Sequence, residues 1–183
     1  MCYARPQTTS PLFFIGIHFG ILQVALFFLI QCYVTATFMG YFAVVLGWLV
    51  GVVINLHWGR PRSLMASLAI SLAAYYLLYL AVTQLPPDFP RLPFVISGVV
   101  ITAIPAGAYF RCLGTETSAR ALFLHENNGF VIGYLLCMLG FVQWGVNFLQ
   151  WGPALALLGV LLLFTGQLSG ALMLLVCAAT GAA

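Results

Sequence analysis

Long apolar runs alternate with short polar or proline-bearing breaks along the whole chain, and six runs can be separated. They cover 11–33, 38–56, 63–82, 94–110, 129–148 and 153–178. The second ends at His57-Trp58-Gly59-Arg60-Pro61-Arg62, and the third at Gln84-Leu85-Pro86-Pro87-Asp88-Phe89-Pro90-Arg91. After the fourth comes the longest polar stretch, Arg111 to Asn128. The runs are continuous, without the two-residue alternation of a membrane β-barrel. At 1.5 Å per residue each can cross about 30 Å of hydrocarbon as a helix, the shortest only when upright. The pattern predicts an all-α fold, a polytopic transmembrane bundle of about six helices forming a single transmembrane domain over 1–183. Arg5 precedes the first run, which is longer than the roughly 7–15 apolar residues of a cleavable signal. It reads as a retained first helix.

Composition agrees with hydrocarbon as the surrounding solvent. Of the 183 residues, 63% are hydrophobic and 5% are charged, against about 25% charged in average soluble domains. The net charge of +3 is scattered, whereas a nucleic-acid surface needs clustered Lys and Arg; no nucleic-acid partner is expected. All six basic residues are arginine. With both termini cytoplasmic, Arg5, Arg60, Arg62, Arg111 and Arg120 fall inside and only Arg91 outside, the arrangement the positive-inside rule prefers. Trp58, Trp144 and Trp151 fall near predicted helix ends, where interfacial aromatics belong. Cys2, Cys32, Cys112, Cys137 and Cys177 form no C-x-x-C pair and read as small apolar packing residues.

Glycine and proline refine the helices. Gly16/Gly20, Gly47/Gly51, Gly129/Gly133 and Gly166/Gly170 have the G-x-x-x-G spacing that lets backbones approach closely in lipid; they are expected to hold the chain's own helices together. Pro105 lies inside the fourth run and is expected to kink it. Pro153 is expected as the first helical residue of the sixth, where its missing N–H costs nothing.

Gly47-Trp48-Leu49-Val50-Gly51 followed by Leu56-His57-Trp58-Gly59-Arg60-Pro61-Arg62 resembles the glycine-and-arginine loop between helices two and three of major facilitator transporters. That loop's aspartate is missing; Asn55 or His57 stands nearest. Ile104-Pro105-Ala106-Gly107, Tyr109-Phe110 and Glu126-Asn127-Asn128-Gly129-Phe130 with Gly133 look like the membrane domain of bacterial spermidine-synthase-like proteins, itself similar to half of a major facilitator. The resemblance implies a six-helix half in a bacterial inner membrane. A complete facilitator has twelve helices, so such a half would pair with a second copy of itself or with other membrane subunits. The soluble nucleotide domain of the polyamine-making relatives is missing from this chain, which has no G-x-G-x-x-G and only Asp88, Glu116 and Glu126 as acids. Aminopropyl transfer by this chain is not expected.

The candidate chemistry is sparse. In the predicted topology His18, His57 and His125 all lie toward the cytoplasmic side, where with Asn55, Glu126, Asn127 and Asn128 they would form one polar cluster. His18 alone is clearly inside the apolar zone, where ionisable groups are costly and are functional candidates; a hydrogen bond to a neighbouring helix is the plainer role. The three histidines are also the only candidates for haem or quinone contact, and no cofactor or metal is expected. Glu126 reads either as a contact for a cation or a partner's arginine, or as part of a helix start, with Asn127 or Asn128 capping and Glu126 at the positive dipole end. Arg60 and Arg62 are candidate partner contacts. Gln23, Gln31, Gln143, Asn147, Gln150 and Gln167 read as interhelical amides. No nucleophile–base pair or carboxylate set of a membrane enzyme is found. Two functions follow as expectations: a non-catalytic integral subunit or scaffold of a larger membrane complex, or a facilitator-like transporter of a neutral or lipidic solute, working as a dimer of halves.

Overall fold

A computed structural model describes residues 10–58, 64–84, 86, 91–113 and 118–164. Among them are six helices and no strand: α1 (Ser10–Tyr33), α2 (Phe38–Trp58), α3 (Leu64–Gln84), α4 (Arg91–Leu113), α5 (Ala119–Trp144) and α6 (Val146–Phe164). The first five are long and apolar enough to cross a membrane, and α6 is an apolar helix shorter than these over its described length. The expected continuation of the sixth helix to 178, like Arg60, Arg62 and Gly166/Gly170, lies outside the described residues.

The principal contacts pair α1 with α5 and α2 with α4, followed by α3 with α4 and α1 with α6. Glycine explains the first two. A Cβ on Gly16 would strike the carbonyl of Glu126, and one on Gly20 the carbonyl of Phe130. In return, Gly129 faces the carbonyl of Phe13 and Gly133 that of Ile17. Both sets rise together along the chain, so α1 and α5 run parallel and their backbones interlock. Farther along the same seam Phe28 and Phe141 stack at 3.9 Å. On the other side Gly51 meets the carbonyl of Val100, and Gly107 that of Val52. Three of the four glycine pairs therefore act inside this bundle, as their spacing predicts. α1 is the most enclosed helix, with Ile15, Leu22, Ala25, Leu26, Leu29 and Ile30 fully buried.

Two helices among the described residues carry interior prolines, and a hydroxyl of α3 replaces the lost donor in one of them. Pro153 is inside α6, not at its start; having no N–H, it leaves the carbonyl of Leu149 without its helical donor. The Tyr75 hydroxyl donates to that carbonyl at 2.8 Å, and the Tyr76 hydroxyl to the carbonyl of Gln150 at 2.6 Å. Pro105 lies inside α4 as expected, and there the Ser71 hydroxyl donates to the carbonyl of Thr102 at 2.6 Å. Neighbouring hydroxyls are a standard way to tolerate proline in an apolar helix.

The last third of the chain departs from the sequence reading. Helix five does not begin at 129 but at Ala119, where the Ser118 side chain accepts from the Ala121 N–H as the N-cap. Asn127 and Asn128 are mid-helix and cap nothing. At 26 residues α5 exceeds the roughly 20 that hydrocarbon requires, so its polar first turns extend past the apolar layer without leaving the helix. The break before helix six falls at Gly145 rather than at 149–152. Gly145 has φ 60 and ψ −142, a conformation that other residues rarely adopt, while Asn147 and Gln150 continue in the helix.

Candidate functional site

Glu126 belongs to the interior face of α5. It precedes Gly129 and Gly133 by three and seven residues, the spacing of one helix face, and that face is pressed on α1. The residue is 7% exposed. The hydroxyl of Tyr109 from α4 is fully buried and has no hydrogen-bond partner. The Tyr109 ring packs edge-on against Phe19 of α1 at 5.6 Å and against Phe110 at 5.1 Å. Both residues lie against α1, the Glu126 backbone at Gly16 and the Tyr109 ring at Phe19. Buried polar atoms without partners are rare in folded proteins and call for an explanation.

His18 is the second such point. It is 0% exposed, and neither ring nitrogen has a hydrogen-bond partner, so the expected bond to a neighbouring helix is not made. Its ring lies 5.8 Å from that of Phe19. His18 is two residues from both Gly16 and Gly20, about 160–200° around the helix from the α5 contact. It therefore faces away from Glu126.

The third point lies between α2, α3 and α4. The buried Asn55 side-chain oxygen has no partner. It borders a cavity of about 120 Å³ that is also lined by Ser67, Ile101 and Pro105. Pro105 denies the Ile101 carbonyl its helical donor. The Asn55 backbone carbonyl accepts a long 3.5 Å contact from the Arg111 guanidinium.

The single polar cluster expected from the sequence is thus divided. His57 is exposed at the end of α2, edge-on to Trp58 at 4.8 Å. His125 is half-buried, while Asn127 and Asn128 are exposed on α5. Among the described residues, no group of three or more His, Cys, Asp or Glu could hold a metal ion. Tyr109 is a further buried residue with an unpartnered polar atom, which sequence reasoning did not single out. Its signal was its place on the stripe Thr102, Ala106, Tyr109, spaced at four and three residues and buried throughout. No family model, no curated protein and no solved structure matches the chain.

Proposed function

We propose that the chain is a non-catalytic subunit of a larger membrane assembly, built as a six-helix half of the facilitator type in a bacterial inner membrane with both termini cytoplasmic. The supporting observation is the order of helix pairing. Exchanging each of the first three helices with the one three places on converts α1–α5 into α4–α2, and α3–α4 into α6–α1, so the four main contacts map onto one another. A three-plus-three inverted repeat of this sort is the internal plan of each half of a major facilitator. The exchange also relates α2 to α5, and these two helices have extensive bare outer faces, including Leu46, Val53, Leu135 and Val142. With the described glycine stripes occupied inside the bundle, those bulky faces are what remains for a partner or for lipid. The test is the mass of the complex released from native membranes in mild detergent. A twelve-helix dimer or a larger hetero-complex is expected; a lone chain with no co-purifying protein would sink the reading.

A second reading, facilitated transport of a neutral or lipidic solute by a dimer of halves, is favoured by Glu126, Tyr109 and His18. Ionisable groups inside a membrane bundle mark substrate or ion pathways. Flux into proteoliposomes above that of empty vesicles, reduced by Glu126→Gln, would support transport. Flux equal to empty vesicles across neutral and lipidic solutes would remove it.

A further inference from the structure

α2 and α5 both pack on α1 but are not a principal contact of one another, which leaves a cleft between them with α1 as its floor. A cavity of about 200 Å³ in this cleft is lined by Gln23, Phe27, Tyr41, Val45, Phe130 and Tyr134 among others. We propose that it binds a small neutral ring compound bearing a hydroxyl or carbonyl oxygen, of the phenol or quinone class. The compound enters from the hydrocarbon and hydrogen-bonds through that oxygen to the Gln23 amide.

The depth of the amide points to a ligand. Gln23 stands ten residues before the Tyr33 end of α1, and Tyr134 ten residues before the Trp144 end of the parallel α5. At 1.5 Å per residue both lie about 15 Å in, the middle of a hydrocarbon layer about 30 Å thick. A primary amide at that depth has two N–H donors and an acceptor oxygen to satisfy, and lipid tails offer it no partner. The interhelical bond that the sequence predicts for Gln23 is not made. Among the described residues its side chain has no hydrogen bond, and the residue is half-buried where it lines the cleft. Polar groups inside a membrane bundle are costly and mark functional positions. Gly20, three residues earlier, brings α5 alongside, since a Cβ there would strike the Phe130 carbonyl.

The walls select the rest of the ligand. Phe27 and Tyr41 meet edge-on at 6.3 Å on the α1–α2 side, while Phe130 and Tyr134, one helical turn apart, form the α5 side. A flat ring packs well against such walls, stacked or edge-on. An apolar cavity of about 150 Å³ holds benzene, so a cavity of about 200 Å³ accommodates one ring with one or two substituents. None of the lining residues carries a charge, and an ion at the bilayer midplane is costly, so the compound is neutral. An acyl chain or an apolar partner helix would cover the cleft and leave the amide unbonded. A ring hydroxyl donates to the amide oxygen, and a ring carbonyl accepts from the amide nitrogen, so both ring classes are matched.

Binding is measured on the full chain purified in detergent, by fluorine NMR with para-fluorophenol and with fluorobenzene, which lacks only the hydroxyl. The wild-type protein is expected to bind both saturably and to hold para-fluorophenol about ten-fold more tightly, equivalent to about 1.4 kcal/mol. Gln23→Leu, close in size, should remove that preference and leave fluorobenzene binding in place, which also shows that the variant folds. Val45→Trp, which keeps the amide but fills the cleft, should weaken both probes about ten-fold or more. Equal affinity of the wild-type protein for the two probes, as expected where a second copy's side chain already bonds the amide, would overturn the assignment. So would uptake that never saturates, a preference that survives Gln23→Leu, or unchanged binding in Val45→Trp. No partner protein and no solute flux enters the readout, so its failure is distinct from that of either role proposed above.

Discussion

A single methyl group decides the contact between α1 and α5, because at Gly16, Gly20, Gly129 and Gly133 the atom it would meet is a backbone carbonyl. A flexible side chain could swing aside, but a carbonyl moves only with its helix. Gly133→Leu should therefore destabilise the bundle by about 1–3 kcal/mol or more, the usual range for overpacking, measured as the unfolding midpoint in detergent. Gly159→Leu, placed in open space, should leave that midpoint nearly unchanged. Gly145 differs from both. Nothing stands within 4 Å of an added Cβ there, yet its φ is +60, so the strain of Gly145→Ala is confined to the backbone. A cost of about 1–3 kcal/mol is expected in the same unfolding assay, with the α1–α5 contact intact. A loss equal to that of Gly159→Leu would show that the α5–α6 turn tolerates another conformation.

At the scale of helices, α3 compensates for a defect in α6. Pro153 removes the donor to the Leu149 carbonyl, and the Tyr75 hydroxyl replaces it. Interhelical hydrogen bonds in membranes average about 0.6 kcal/mol and reach about 1.7, so Tyr75→Phe should cost an amount in that range. The cost should shrink in a Pro153→Ala background, where residue 153 regains its own N–H. A double-mutant cycle on unfolding free energies isolates that coupling, and strictly additive effects would disconnect the tyrosine from the proline. The same pair shows where reading the sequence stopped. Apolar runs and glycine spacing identified membrane helices and their close contacts, because both are properties of one segment at a time. Sequence spacing alone makes Pro153 a helix start, because the hydroxyl that supports an interior proline there comes from Tyr75, 74 positions before the Leu149 carbonyl it bonds. Capping by Asn127 or Asn128, one of the two readings of that stretch, equates the end of apolarity with the end of a helix, yet α5 continues back through these polar residues to Ala119. Glu126 is legible in principle from its register with Gly129 and Gly133; the burial of Tyr109 depends on how α4 packs against Phe19 of α1.

For the whole molecule, the alternation of helices fixes which ends share a face, and the arginines predict which face is cytoplasmic. Cys32 is free and exposed near the end of α1. The α2 end at His57 and Trp58 lies one membrane crossing later, and Trp58 is 73% exposed. With Arg60 and Arg62 next in the chain, the positive-inside rule assigns the Trp58 end to the cytoplasm and Cys32 to the opposite surface. Cys137 is buried and should stay unreactive in the folded protein. In a chain with Cys2, Cys112 and Cys177 replaced by serine, a membrane-impermeant maleimide added to intact spheroplasts should modify Cys32. With Cys32 also replaced and Trp58→Cys introduced, modification should require permeabilised cells. The reverse pattern would invert the topology and move His57 and the Arg60–Arg62 break to the outer surface. It would also move Trp144, which four crossings after Cys32 shares its side, to the cytoplasmic leaflet. Labelling of both cysteines in intact cells would contradict a membrane crossing between them, and with it the alternation on which every pairing of parallel helices in this bundle depends.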